Sequence, residues 1–138
     1  MIVVDTNVIA YLFLVGDHTV HAKAAFRKDP DWAAPLLWRS EFRNVLSFYL
    51  RRKQLELSKT LQLMQEAELL MQGSEYEVTS LHVLNLTAHS RCSAYDSEFV
   101  ALARDLGVPL VTSDTMILSE FPSTTISLND FNFSRPLD

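Results

Sequence analysis

The chain has 138 residues, 48% of them hydrophobic and 21% charged, with three glycines and five prolines. This excludes a disordered or collagen-like chain and fits one globular domain with a sizeable core. A net charge of −5 argues against coating nucleic acid through bulk positive charge, and the lone cysteine, Cys92, excludes an intrachain disulfide and an all-thiolate zinc site.

The charge is polarised. Between Lys23 and Lys59 stand nine basic and four acidic residues, whereas residues 60–138 hold three basic and eleven acidic ones. A basic segment on an acidic body offers an anionic partner a local grip, although a solvated helical surface has the same pattern. No basic leader precedes Asp5, and the longest apolar run, Val8 to Val15, is too short to span a bilayer. A cytoplasmic, reducing location with no membrane contact is expected.

In chain order, Ile2–Val4 is a short apolar strand, and Asn7 to Leu14 is helix-compatible. Asp17 to Lys28 reads as a second helix with Val20, Ala24 and Phe26 inward, and Asp29-Pro30-Asp31 as a turn. Trp32–Ala34 is a candidate strand, and Pro35 suits the first turn of a helix that runs to about Lys53. Ser58 is a plausible cap for a helix ending near Gly73. That helix carries an apolar stripe of Leu61, Met64, Ala67 and Leu70 or Met71, suited to the core or to a partner. Tyr76–Val78 is strand-like, and Ser80 and Ser93 each suit a helix cap. The Ser93 helix, with its stripe of Tyr95, Phe99, Leu102, Ala103 and Leu106, stops at Gly107. Val108–Val111, a short helix from Thr115 and a strand Thr124–Ile126 follow, with Phe121 and Phe131 to Phe133 available to dock the tail. Alternating strands and helices predict an α/β fold with a short, parallel, five-stranded sheet flanked by helices. Chemistry in such sheets gathers at the carboxyl ends of the strands.

Four acids stand where that rule points. Asp5 follows the first strand, and Asp114 follows the strand Val108–Val111; each also suits a helix cap. Glu41 shares a helical face with Trp38, Phe42, Val45 and Tyr49, so its carboxylate needs a salt-bridge partner or a metal. Asp96 lies in Ser93-Ala94-Tyr95-Asp96, the signature of a helix start. If the four converge, they repel one another, and a hard divalent cation such as Mg²⁺ or Mn²⁺ is the usual remedy. The histidines do not compete as ligands: His18 and His21, and His82 and His89, miss the spacing of a zinc-binding helix.

The segment Ile2-Val3-Val4-Asp5-Thr6-Asn7-Val8 resembles the opening of PIN-domain ribonucleases. Ser40-Glu41 is similar to their second acidic motif, Ser93 to Ala103 to their third, and Leu110-Val111-Thr112-Ser113-Asp114 to their fourth. Order and spacing agree over nearly the whole chain, and the compact size most resembles VapC-type toxins of bacterial toxin–antitoxin pairs. The resemblance implies one PIN-like domain over residues 1–138 with strand order 3-2-1-4-5. It implies a Mg²⁺- or Mn²⁺-dependent endoribonuclease that leaves a 5′-phosphate and a 3′-hydroxyl. Asp5, Glu41, Asp96 and Asp114 carry over as the catalytic acids, with Asp5, Asp96 and Asp114 on the metal and Glu41 on the attacking water. Thr6, Asn7 and Thr112 would support them by hydrogen bonds. Arg39 and Arg43 are candidate RNA contacts. A cognate antitoxin and a homodimer are the implied protein partners. Where many relatives carry a further acid two positions after the fourth, this chain has Met116.

Two other α/β classes fall behind. A phosphoryl-accepting receiver and a haloacid-dehalogenase-like phosphatase each want a late lysine, and the last here is Lys59. A housekeeping RNA-processing nuclease and a non-catalytic binding module of the same fold are the remaining alternatives. The binding module predicts that at least one of the four acids is missing, and none is.

Overall fold

The computed structural model describes residues 1–134. They form β1 (Ile2–Val4), α1 (Thr6–Phe13), α2 (Thr19–Lys28), β2 (Trp32–Pro35), α3 (Leu37–Arg51), α4 (Leu57–Met71) and β3 (Glu75–Tyr76). There follow α5 (Ser80–Ala88), α6 (Ala94–Leu106), β4 (Leu110–Thr112), α7 (Thr115–Glu120), β5 (Thr125–Ser127) and α8 (Leu128–Phe133). The five strands make one sheet in the order β3-β2-β1-β4-β5, and every neighbouring pair is parallel.

The sheet is short but covered on both faces. Successive strand residues point to opposite sides. Ile2, Val3 and Val4 are nonetheless all buried, so helices cover each side of β1. Helix α6 packs against β1, β2 and β4, and α3 and α4 against β2; α1 and α8 lie on β4. The core is built from these strands and from Val8, Ile9, Trp38, Phe42, Leu46, Phe99, Val100 and Leu102. Among the described residues, no helix is long and apolar enough to cross a membrane.

Several boundaries differ from the pattern in the sequence. Pro35 closes β2 rather than opening α3, because it stands opposite Tyr76 in the ladder and the Leu36 amide after it donates to the Tyr76 carbonyl at 3.1 Å. Helix α4 starts at Leu57 with Glu56 at its cap, ahead of Ser58, and α5 is capped by the hydroxyl of Thr79 rather than Ser80. In α2 the buried positions are Thr19, Ala22 and Ala25, and Val20 faces solvent at 62% exposure. Small residues let α2 lie close to α1 and α8, an effect of packing distance that hydropathy does not encode. Tyr95 and Leu61 leave their apolar stripes for the surface. Helix α8, capped by Ser127, was not legible beforehand; its Phe131 is buried while Lys28 of α2 reaches the carbonyl of Ser134 at 2.6 Å.

Candidate active site

Parallel pairing of β1 with β4 sets the site. Val4 stands opposite Val111, so the next residues, Asp5 and Thr112, emerge side by side at the carboxyl edge. The Asp5 amide continues the ladder by donating to the Val111 carbonyl at 3.3 Å. Asp5 then caps α1: its Oδ1 accepts from the Val8 amide at 3.0 Å. Its Oδ2 accepts from the Thr112 hydroxyl. That same hydroxyl oxygen accepts from the Asp114 amide at 3.0 Å. One threonine thus ties two acidic residues to one strand end.

Asp114 caps α7, with Oδ1 accepting from the Ile117 amide at 2.9 Å, and its Oδ2 has no protein partner among the described residues. Asp96 sits in the first turn of α6, where the Ser93 hydroxyl accepts from its amide at 3.1 Å. Glu41 projects from α3, and its Oε1 accepts from the Thr6 hydroxyl at 2.8 Å. Asp5, Glu41, Asp96 and Asp114 therefore line one cleft of ≈ 360 Å³, together with Asn7, Ser40, Asn44 and Tyr95. Capping and cleft-lining coexist, because a carboxylate offers more lone pairs than a cap consumes.

The electrostatics are one-sided. Burial pushes the Asp5 carboxyl up to about 6; the Thr112 and Val8 hydrogen bonds oppose this, and the charge of Asp114 adds to it. Burial also raises Glu41, opposed by its Thr6 bond and reinforced by Asp96, Asp5 and Glu98. Asp96 is raised by burial and then by Asp114. No lysine, arginine or histidine among the described residues lines the cleft. Arg39 lies elsewhere: its Nε and Nη2 grip both oxygens of Glu75 at 2.6 and 2.7 Å, and Nη1 reaches Glu68 at 3.0 Å. Arg43 is exposed on α3 outside the cleft. Asn7 lines the cleft, and Thr6 and Thr112 bond the acids directly.

Glu98 was not singled out in the sequence. Its own carboxyl is raised by burial and its charge is felt at Glu41. The signal available was its position two residues after Asp96, and the helix-start reading of that segment masked it.

A divalent cation fits this donor set. All the candidate ligands are hard oxygens, and among the described residues no cationic side chain lines the cleft to balance their charge, and Asp114 keeps a free oxygen. Among the described residues no three acidic, imidazole or thiol groups are placed to hold a metal ion by themselves, so water and substrate would have to supply the remaining positions. An open site that leaves several positions to water and substrate is what Mg²⁺ prefers.

The family model described as PIN domain matches residues 2–122. The chain belongs to the PIN-domain family. PIN domains are in general nucleases, which makes a hydrolase acting on nucleic acid the coarse expectation for this cleft. No curated protein matches the chain at a significant level. Among solved structures, PAE2754 from Pyrobaculum aerophilum is similar with a TM-score of 0.74 at 19% identity, covering 95% of this chain and 92% of that one. FitAcB from Neisseria gonorrhoeae is similar with a TM-score of 0.74 at 17% identity, covering 93% and 98%. FitAB bound to the IR36 DNA fragment is similar with a TM-score of 0.72 at 18% identity, covering 99% and 100%. At these identities the likeness to solved structures is one of fold. Asp5 and Asp114, at the ends of β1 and β4, line one cleft with Glu41 of α3 and Asp96 of α6.

Proposed function

We propose that this PIN domain, spanning residues 1–138, is a Mg²⁺- or Mn²⁺-dependent endoribonuclease acting in the cytoplasm as the toxin of a toxin–antitoxin pair. The observation that carries the chemistry is the convergence of four carboxylates in a cleft that, among the described residues, no cationic side chain lines. Asp5, Asp96 and Asp114 would hold the ion. Bound there, it would offset their charge, polarise a phosphodiester and acidify a water molecule. Glu41 accepts the proton of the attacking water, a role suited to a carboxyl that burial raises toward neutrality. Thr6 holds Glu41 in place from α1, and Thr112 holds Asp5. In-line displacement by water leaves a 5′-phosphate and a 3′-hydroxyl, so the ribose 2′-hydroxyl takes no part.

RNA as substrate, the antitoxin and a homodimer rest on the family likeness of the motifs. The fold neighbour FitAB bound to a DNA fragment supports a nucleic-acid setting for this fold. The deciding experiment is cleavage of cellular RNA, and of DNA in parallel, by purified protein with Mg²⁺, Mn²⁺ or EDTA, beside Asp5→Asn. Metal-dependent RNA cleavage with 5′-phosphate ends, lost in the variant, supports the proposal. Folded, metal-loaded protein that cuts no RNA overturns it, and cleavage indifferent to EDTA and to Asp5→Asn marks a contaminant.

A further inference from the structure

The carboxylate cleft continues into a second groove along α1. Asn7 and Val45 line both. The second groove encloses ≈ 350 Å³ among Ala10, Leu14, Tyr49, Tyr11 and His18. The rings of Tyr11 and His18 pack there in a tilted pair, with centroids 4.6 Å apart and planes inclined by 31°. The His21 ring stands 6.5 Å beyond His18. Tyr11 is half-buried and its hydroxyl faces Ser113 and the Asp5 charge, whereas His18 and His21 are exposed. A ladder of aromatic faces therefore leads from the acidic cleft to solvent.

His18 packs against Tyr11 but does not serve the helix that it starts. It occupies the N-cap of α2 yet makes no capping bond with its side chain. Serine, threonine, aspartate or asparagine would cap better. The chemistry of the groove also selects its occupant. Among the described residues no lysine or arginine lines it, and Asp17 does, which disfavours a phosphate. Flat aromatic faces over an apolar floor suit an uncharged ring, as base-stacking platforms do.

We propose that this groove holds the base of a nucleotide flanking the scissile phosphodiester, stacked on His18, as a base-binding subsite of the nuclease. The proposal rests on the nuclease function inferred above. Its probe is a single-stranded RNA oligonucleotide spanning a cleavage site mapped in that assay, with copies made abasic at either nucleotide beside the cut. Steady-state cleavage is compared for the unaltered protein, His18→Ala and His18→Phe. His18→Ala should raise KM about tenfold, the worth of one stacked base, with kcat little changed. His18→Phe should restore KM, because stacking needs a ring and not an imidazole. One abasic position should weaken the unaltered protein by the same factor and His18→Ala no further. Additive losses, or an unchanged KM in His18→Ala, would overturn the subsite while leaving the nuclease standing. A His18→Ala protein that cleaves normally but loses a co-purifying protein would reassign the groove to that partner. If the unaltered protein cuts no RNA, the subsite falls with the nuclease.

Discussion

Asp5 carries opposing demands. It is 6% exposed and hydrogen-bonded through both oxygens, yet burial still lifts its carboxyl from 3.8 to about 6. Without metal, the fold takes up a proton that the unfolded chain has released at the same pH. This group's contribution to stability is therefore full below about pH 4 and is lost as pH rises through about 6, a span on the order of 3 kcal/mol. Glu75 works the other way: Arg39 holds its carboxyl below the ordinary value, so its contribution is lost on acidification below about pH 4.5. Thermal melts in EDTA should show higher stability near pH 5 than near pH 7; a melting temperature that climbs across that interval would refute the assignment of Asp5 as a buried, raised acid. Thr112 is the second residue to test. Thr112→Val keeps the shape and removes the hydroxyl that bridges Asp5 to the Asp114 amide. Stability should fall by about 1–3 kcal/mol, and metal affinity or cleavage by about 10- to 100-fold. Urea unfolding together with Mn²⁺ titration reads both effects.

At the scale of elements, helix ends place the acids. Ser93 begins α6 as its cap and Gly107 ends it at φ 66°, a left-handed conformation that glycine adopts without strain. Ser93→Ala and Gly107→Ala should each cost about 1 kcal/mol. Only the first lies beside Asp96. Ser93→Ala should therefore also weaken Mn²⁺ binding, whereas Gly107→Ala should leave it unchanged; equal effects on the metal would mean that general loosening, not the cap, governs the site. The edge strand β3 has only two residues and needs outside support. It receives it from Trp38 and Arg39 on α3, which donate to Glu75 at 2.8, 2.6 and 2.7 Å. Arg39→Ala should lower the melting temperature, and Lys at that position should not restore it, because an ammonium cannot reproduce the two-pronged contact.

At the scale of the whole molecule, charge and site are separated. The basic stretch runs over α2, α3 and α4 with none of its cations lining the cleft, where acids from the ends of β1 and β4, from α3 and from α6 meet. A cation bound in that cleft would relieve the mutual repulsion of its acids. Mn²⁺ at a hundred times its dissociation constant should stabilise the protein by about 2.7 kcal/mol. The gain should be larger at pH 7 than at pH 5, where a proton on Asp5 competes. Calorimetry at the two pH values checks this; a gain that is equal or reversed would count against Asp5 as a ligand.

Chain-local physics was legible in advance. The apolar run Ile2–Val4, the Ser93 cap, the Gly107 stop and the alternation of strands with helices all follow from interactions within a few residues, and each stands where expected. The four acids were also visible, because each follows a strand or interrupts an apolar stripe. The convergence of Asp5, Glu41, Asp96 and Asp114 was not readable from spacing, since it depends on the register of β1 against β4 and on where α3 and α6 pack. The same holds for Glu98, felt at Glu41 only once two helices meet, and for Arg39, whose fork is claimed by carboxylates 29 and 36 residues away. Propensity and capping act along the chain, so the sequence by itself determined the elements and the kinds of group available. Burial, charge coupling and hydrogen-bond partners act across it, and only tertiary packing decided which of those groups share a cleft.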